Sequence, residues 1–166
     1  YLASGKSPTR LGNAHPNIAP YQVFEVIDGF VIIAVGNDRQ FHDFCEVLGA
    51  KTCADEPEFQ TNASRVKSRE RLTKSLGPYL LKWTRFELLA ALEPKGVPAS
   101  PINRVEDVFD DPHIIHRGMC YELVGDDGSV VKTIASPIVI DGIRQTSDLA
   151  CPKLGSSIPK FAKDEP

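Results

Sequence analysis

A short string near the start of the chain contains residue types that could bind a polar substrate. The six-residue string GNAHPN contains Gly12, Asn13, His15 and Asn17. Glycine lets a backbone approach a ligand closely, and the amide and imidazole side chains supply hydrogen-bond donors and acceptors. A single histidine in a loop is weak evidence for a general base. On residue chemistry alone, a plain connector is the favoured interpretation and a ligand-binding loop is the alternative.

Two other groups of chemically capable residues occur further along the chain. His113 and His116 stand three residues apart, which on a helix would supply part of a metal site. No further ligands accompany them and a turn beginning at Asp111 is favoured, so we expect no metal site. Arg65 and Arg69 would share one helix face and could bind a phosphate group. A solvated basic face is the simpler interpretation.

Composition narrows the class of protein. The 166 residues carry a net charge of −3, whereas a nucleic-acid-binding domain normally has a strongly basic face. The longest apolar run, 30–35, has the length of a strand and is too short to span a membrane. Four scattered cysteines without a C-x-x-C pair favour a reduced, cytoplasmic protein over a zinc or disulfide framework. Cys45 lies on an apolar helix stripe, where burial is favoured over a catalytic role.

The order of the local signals predicts an α+β fold with a small antiparallel sheet and several short helices. Two runs of β-branched and aromatic residues, 22–27 and 30–35, flank Asp28-Gly29, which is typical of a two-residue type I′ turn. The second run is apolar at nearly every position. We therefore expect a central strand that is buried on both faces.

Helix signals follow the predicted hairpin. Asn37 is placed to cap an amphipathic helix that ends at Gly49. Residues 50–61 are predicted to form a loop, and Asn62 to cap a helix that Gly77-Pro78 breaks or kinks. The remaining predicted segments are a helix with a Thr84–Glu87 capping box, a rigid extended linker at 96–101, a short helix from Asn103 to Pro112, strands at 120–124, 130–134 and 137–140, and a polar tail from Cys151.

Five longer strings resemble a known family. In chain order they are GNAHPNIAPYQ (12–22), DGFVIIAVGNDRQF (28–41), TNASRV (61–66), GVPASPIN (96–103) and VFDDP (108–112). Together they resemble the C-terminal half of the class III CoA-transferases, the CaiB/BaiF group. This group includes formyl-CoA transferase, carnitine CoA-transferase and α-methylacyl-CoA racemase.

The resemblance implies covalent catalysis by an aspartate. In this family the aspartate attacks an acyl-CoA thioester, and CoA then passes to a second carboxylic acid through mixed-anhydride and aspartyl-CoA intermediates. That aspartate lies in the N-terminal half of the family, a Rossmann-like large domain to which nothing here corresponds. The resemblance therefore implies no catalytic residue in this chain. It implies coenzyme A and acyl-CoA as substrates and no covalently bound cofactor.

The same resemblance assigns a site loop and partners. The family's small domain supplies a loop that closes over the thioester, and the matching positions here are Gly12, Asn13, His15, Asn17 and Tyr21. Weaker candidates for lining the site are Val97, Pro98, Pro101 and Asn103. The implied partners are an acyl-CoA, a carboxylic acid, the protein's own N-terminal large domain and a second subunit in an interlocked homodimer, without nucleic acid or membrane.

We expect four segments in the chain. They are an interdomain linker with the active-site loop at 1–20, a small α+β domain at 21–103, a segment returning to the large domain at 104–150, and a polar tail at 151–166. Because the chain opens on a loop-rich segment without Met, a piece of a longer protein is expected, and this piece alone is predicted to be inactive. The alternatives are a racemase-like enzyme of the same superfamily, and a non-catalytic α+β binding or dimerisation module.

Overall fold

The computed structural model describes residues 1–125, 127–152 and 154–155. The fold is α+β, with small antiparallel sheets and several short helices, as the sequence predicts. Two compact units divide the chain: the first is Tyr1–Ile102 and the second begins at Asn103. None of the described helices is long and apolar enough to cross a membrane.

The first unit contains a three-stranded antiparallel sheet. Its strands, in spatial order, are β1 (Tyr21–Val26), β2 (Gly29–Ala34) and β3 (Ala99–Ile102). The central position of β2 confirms the prediction from its apolar sequence. The segment predicted to be a linker at 96–101 is extended, but it supplies strand β3, in which Pro101 lies opposite Val31.

The turn between β1 and β2 lies one residue earlier than predicted. Val26 pairs with Gly29, so Ile27 and Asp28 are the two loop residues. A contact distant in sequence is formed at this turn: the Asp28 carboxylate accepts a hydrogen bond from the Arg85 backbone N–H at 2.7 Å. The predicted burial of β2 on both faces was also wrong.

One face of β2 forms the core and the other is partly open. Val31 and Ile33 are fully buried, whereas Ile32 is half-buried and Phe30 is 49% exposed. Side chains alternate along a strand, so one face of the sheet packs against a hydrophobic core that also contains buried side chains from the helices.

Five helices complete the first unit. They are α1 (Asp38–Leu48), α2 (Lys51–Asp55), α3 (Asn62–Lys67), α4 (Arg69–Leu80) and α5 (Arg85–Leu92), with single 3₁₀ turns at Pro57–Phe59 and Glu93–Lys95. Helix α1 matches its prediction. The Asn37 side chain accepts a hydrogen bond from the Gln40 N–H, and Gly49 ends the helix at φ 66°. In this left-handed conformation glycine carries no Cβ penalty.

The region between α1 and α4 differs from its prediction. Residues 50–61 contain α2 and a 3₁₀ turn instead of a plain loop. Thr61, not Asn62, caps α3 through its hydroxyl group, and Ser68 separates α3 from α4. Helix α4 continues past Pro78 to Leu80, which is fully buried. Proline near a helix end removes only one backbone hydrogen bond, and burial of the last turn offsets that loss.

The described part of the second unit contains two short helices and two hairpins. These are α6 (Val105–Phe109), α7 (Pro112–His116), β4 (Cys120–Val124) paired with β5 (Val130–Ile134), and β6 (Val139–Ile140) paired with β7 (Ile143–Arg144). Arg104, rather than Asn103, precedes α6, and Pro112 begins α7 instead of only ending the previous helix. Most of the predicted polar tail lies outside the described residues.

Candidate functional site

The site loop, residues 12–20, lies along the free edge of strand β1. The Asn13 side-chain oxygen accepts a hydrogen bond from the Val23 N–H at 3.1 Å. The His15 N–H donates to the Tyr21 carbonyl at 2.9 Å. Gly12 adopts φ 62°, a conformation that favours glycine, where the chain turns into this contact. The beginning of the loop is therefore attached to β1 by both side-chain and backbone hydrogen bonds.

An arginine on helix α3 holds the end of the site loop. Arg65 is 0% exposed, and its Nε donates to the Ala19 carbonyl at 2.7 Å. Its two terminal nitrogens donate to the Phe59 carbonyl at 2.9 Å and to the Asp38 carboxylate at 2.7 Å. The guanidinium also lies 4.4 Å from the centre of the Phe41 ring. Every part of this buried cation thus has a partner, as buried charges require.

The neighbouring side chains hold the middle of the loop. Arg69 Nη2 donates to the carbonyls of His15 at 2.6 Å and Pro16 at 3.3 Å, and Nη1 donates to the Ile18 carbonyl at 3.3 Å. Asn62 Nδ2 donates to the Asn17 carbonyl at 2.8 Å. The Asn62 Oδ1 atom accepts from the Ala19 N–H at 3.1 Å.

These contacts revise the sequence interpretation of the two arginines. Arg65 is fully buried and Arg69 is bonded to loop carbonyls, so they form neither a solvated basic face nor an open phosphate site. Six successive carbonyls of the loop, residues 15–20, accept hydrogen bonds from the scaffold, the last of them from the Val35 N–H at 2.9 Å. The backbone oxygens of the loop are consequently occupied by scaffold donors.

The imidazole of His15 is held in one orientation. Its Nδ1 atom accepts a hydrogen bond from the Asn17 N–H at 3.1 Å. The ring stacks on Tyr21, with centroids 5.2 Å apart and an interplanar angle of 13°. A backbone N–H can only donate, so Nδ1 carries a lone pair and the ring proton is assigned to Nε2.

The weaker candidates lie in different parts of the structure. Pro98 lies at the same end of β2 as the site loop, because its carbonyl accepts from the Ala34 N–H at 2.9 Å while the adjacent Val35 N–H bonds to the loop. Val97 is buried in the core, and Pro101 lies within β3. Asn103 is exposed and begins the second unit.

The remaining candidate groups are a buried cysteine and a pair of histidines. Burial raises the pKa of the Cys45 thiol to about 12, so this residue is a core side chain, as predicted, and not a thiolate. His113 and His116 both lie on α7. Among residues 1–125, 127–152 and 154–155, no cluster of three or more histidine, cysteine or acidic side chains could hold a metal ion.

Sequence reasoning singled out Asn62 as a helix cap and Arg65 and Arg69 as a phosphate-binding candidate, but it missed that these residues fix the loop. Asn62, Arg65 and Arg69 are spaced so that they lie on one side of consecutive helices, and all three contact residues 15–19. Their spacing was visible in the sequence. The loop groups to which they bind lie more than 40 positions earlier in the sequence, and no local pattern indicates these contacts.

Comparisons with known proteins identify the family. A family model described as CoA-transferase family III matches residues 1–157. The chain is 43% identical over 155 residues to a succinate–glutarate CoA-transferase of Agrobacterium fabrum, covering 93% of this chain and 39% of that protein. It is 38% identical over 139 residues to a succinyl-CoA:mesaconate CoA-transferase of Haloarcula marismortui, covering 83% of this chain and 34% of that protein.

A solved structure gives the same result. A CaiB/BaiF family protein from Brucella suis matches with a TM-score of 0.80 and 47% sequence identity, covering 92% of this chain and 39% of the other. The chain belongs to CoA-transferase family III. It spans less than two fifths of the length of the relatives described above.

Proposed function

We propose that this chain forms the loop-bearing part of an acyl-CoA:carboxylate CoA-transferase whose nucleophilic aspartate lies outside the 166 residues. Family membership supports the reaction class. This chain covers 39% of the Agrobacterium enzyme, which supports an active site formed jointly by this chain and a further domain. The site loop, whose carbonyls at residues 15–20 all accept hydrogen bonds from the scaffold, is the structural observation that carries the proposal.

The proposed reaction exchanges CoA between two acids in balanced steps. The aspartate attacks the thioester carbonyl of the first acyl-CoA and expels the CoA thiolate, which leaves a mixed anhydride. The thiolate then attacks the aspartyl carbonyl, releases the first acid and forms an aspartyl-CoA thioester. The second carboxylate repeats the sequence in reverse and regenerates the aspartate, so each hard exchange becomes two easier ones.

The site loop contributes preorganised donors to this reaction. Because scaffold donors already occupy the carbonyls of residues 15–20, reorientation of these oxygens towards a developing oxyanion is disfavoured. The His15 imidazole and the Tyr21 hydroxyl are the side-chain donors that we assign to substrate contact. Donors fixed before the reaction stabilise developing negative charge without a reorganisation cost.

The substrates proposed are an acyl-CoA and a dicarboxylic acid. The names of the relatives include succinate, glutarate and mesaconate, all of which carry two carboxylates. Coenzyme A enters only as a substrate, without a covalently bound cofactor. A cytoplasmic location is included in the proposal, and the four free cysteines of this chain support it.

The proposed organisation follows the resemblance described above. The linker with the site loop at 1–20 and the small domain at 21–103 close over the thioester. The segment 104–150 returns to the large domain, and 151–166 forms the tail. Two such polypeptides form an interlocked homodimer.

The test compares the chain with the complete polypeptide encoded by its open reading frame. We expect the complete polypeptide to convert succinyl-CoA and glutarate into glutaryl-CoA and succinate, and the 166-residue chain alone to be inactive. Mass spectrometry of the stalled enzyme should locate a CoA adduct on an aspartate outside this chain. Turnover by the chain alone would contradict the proposed site of the nucleophile. Epimerisation of a 2-methylacyl-CoA without CoA exchange would favour the racemase alternative, and no reaction at all would favour a non-catalytic module.

A further inference from the structure

His15 has one ring nitrogen that the scaffold does not use. Its Nδ1 lone pair accepts from the Asn17 N–H, and the ring plane is fixed against Tyr21. The Nε2 atom on the opposite side of the ring has no hydrogen-bond partner within the described part of the chain. His15 therefore presents a single N–H donor in a fixed orientation, and its other nitrogen is not available as a base.

A positive charge lies behind the same loop. Arg69 is half-buried and donates to the carbonyls of His15, Pro16 and Ile18. In contrast to Arg65, which pairs with the Asp38 carboxylate, Arg69 forms no ion pair with any described residue. The carbonyl contacts engage both terminal nitrogens of Arg69 but bring no negative charge to its guanidinium. A carboxylate near the loop would supply the negative charge that Arg69 lacks.

We propose that His15, with the charge of Arg69 behind it, binds the carboxylate of the substrate acid that does not react. This inference rests on the proposed function and adds a specificity-determining residue to it. A hydrogen-bond donor beside a cation stabilises a carboxylate in its charged state, which would make the attacking carboxylate a weaker nucleophile. The non-reacting carboxylate keeps its charge throughout the reaction, so the same stabilisation there contributes to binding without opposing the chemistry.

Two substitutions of His15 separate the roles of its nitrogens. His15→Asn keeps an acceptor near the position of Nδ1 for the Asn17 N–H and removes the outward donor. His15→Gln places an amide nitrogen near the position of Nε2 and so retains a donor.

Arg69→Lys keeps the charge but lacks the planar fork that reaches three carbonyls. Arg71→Gln is the matched control, because Arg71 lies on the same helix but pairs with Glu56 and Glu58 instead of the loop.

The readout is discrimination between two acids of equal chain length in the complete polypeptide. We expect His15→Asn to lower kcat/KM for glutarate by about tenfold to one hundredfold through KM, the usual size of a lost charge-assisted hydrogen bond. The kcat/KM for valerate, which lacks the second carboxylate, should fall much less than the kcat/KM for glutarate. His15→Gln should recover part of the loss, Arg69→Lys should retain most of the preference for glutarate, and Arg71→Gln should match the unsubstituted protein. Equal losses with both acids, or no loss with either, would overturn the inference.

A second measurement separates this inference from the proposed function. Long-range ¹H–¹⁵N NMR spectra of the complete polypeptide should show the His15 proton on Nε2. Glutarate should perturb that nitrogen more than valerate does. A proton on Nδ1, or equal responses to the two acids, would overturn the inference even in a protein that transfers no CoA. Conversely, a specific response to glutarate without CoA exchange would support the inference and contradict the proposed function.

Discussion

Substitution of Arg65 by methionine tests whether this buried arginine holds the site loop in place. Two buried carbonyls, those of Ala19 and Phe59, would lose their donor, at a cost of about 1–3 kcal/mol each. The Asp38 side chain is 51% exposed, so water can solvate it and its lost ion pair adds only about 0–1 kcal/mol. We therefore expect Arg65→Met to lower the free energy of unfolding by about 4 kcal/mol.

The assay is urea unfolding of the 166-residue chain, followed by circular dichroism and the fluorescence of its single tryptophan, Trp83. Arg39→Met is the control, because the Arg39 side chain is 92% exposed and its ion pair with Asp43 lies on the surface. Its expected effect is below about 0.5 kcal/mol. If Arg65→Met leaves too little folded protein, Arg65→Lys is measured instead. We expect it to lower the free energy of unfolding by about 2 kcal/mol, because an ammonium group cannot reach all three acceptors. A loss at Arg65 no larger than that of the control would refute the reasoning.

Two further predictions concern a helix cap and the thiols. Thr84→Ala should destabilise the chain by about 1 kcal/mol in the same unfolding assay, because the Thr84 hydroxyl caps helix α5. Hydrogen bonds from the Thr84 side chain and backbone also lower the pKa of Glu87. The stabilisation that the charged Glu87 contributes through these bonds is therefore present at neutral pH and is lost as the pH falls through the lowered pKa. A stability difference between the two proteins that does not narrow in acid would contradict this role. Separately, iodoacetamide should label the exposed Cys120 well before Cys45, whose pKa is raised to about 12, and equal labelling rates in peptide mass spectra would disprove the burial.

The parts of the fold that the sequence predicts are those whose determinants are local. Helix α1 has its cap at Asn37, its apolar stripe and its terminal Gly49 within 13 consecutive residues, and all three features were predicted correctly. The Thr84–Glu87 capping box was recognised for the same reason. In each case the groups that form the hydrogen bonds are at most a few positions apart, so the sequence contains the interaction directly.

The errors arose where distant contacts determine the local structure. The Asp28 carboxylate binds the backbone of Arg85, 57 positions away, and the hairpin turn lies one residue earlier than its local signal indicates. Helix spacing placed Arg65 on one face with Arg69, but only the tertiary contact with Ala19 shows that Arg65 is buried. The site loop was predicted from a family resemblance and stays a prediction, whereas its attachment to the scaffold required the structure.

The contact between the site loop and strand β1 has a consequence for self-association. An open sheet edge offers unpaired N–H and C=O groups on which a strand from another molecule can add, which is a common start of aggregation. Asn13 and His15 occupy such groups of Val23 and Tyr21, as an additional short strand would. A motion that lifted the loop away from β1 would therefore expose this sheet edge to strand addition. The hydrogen bonds that hold the loop on β1 thus also shield this edge from pairing with another molecule.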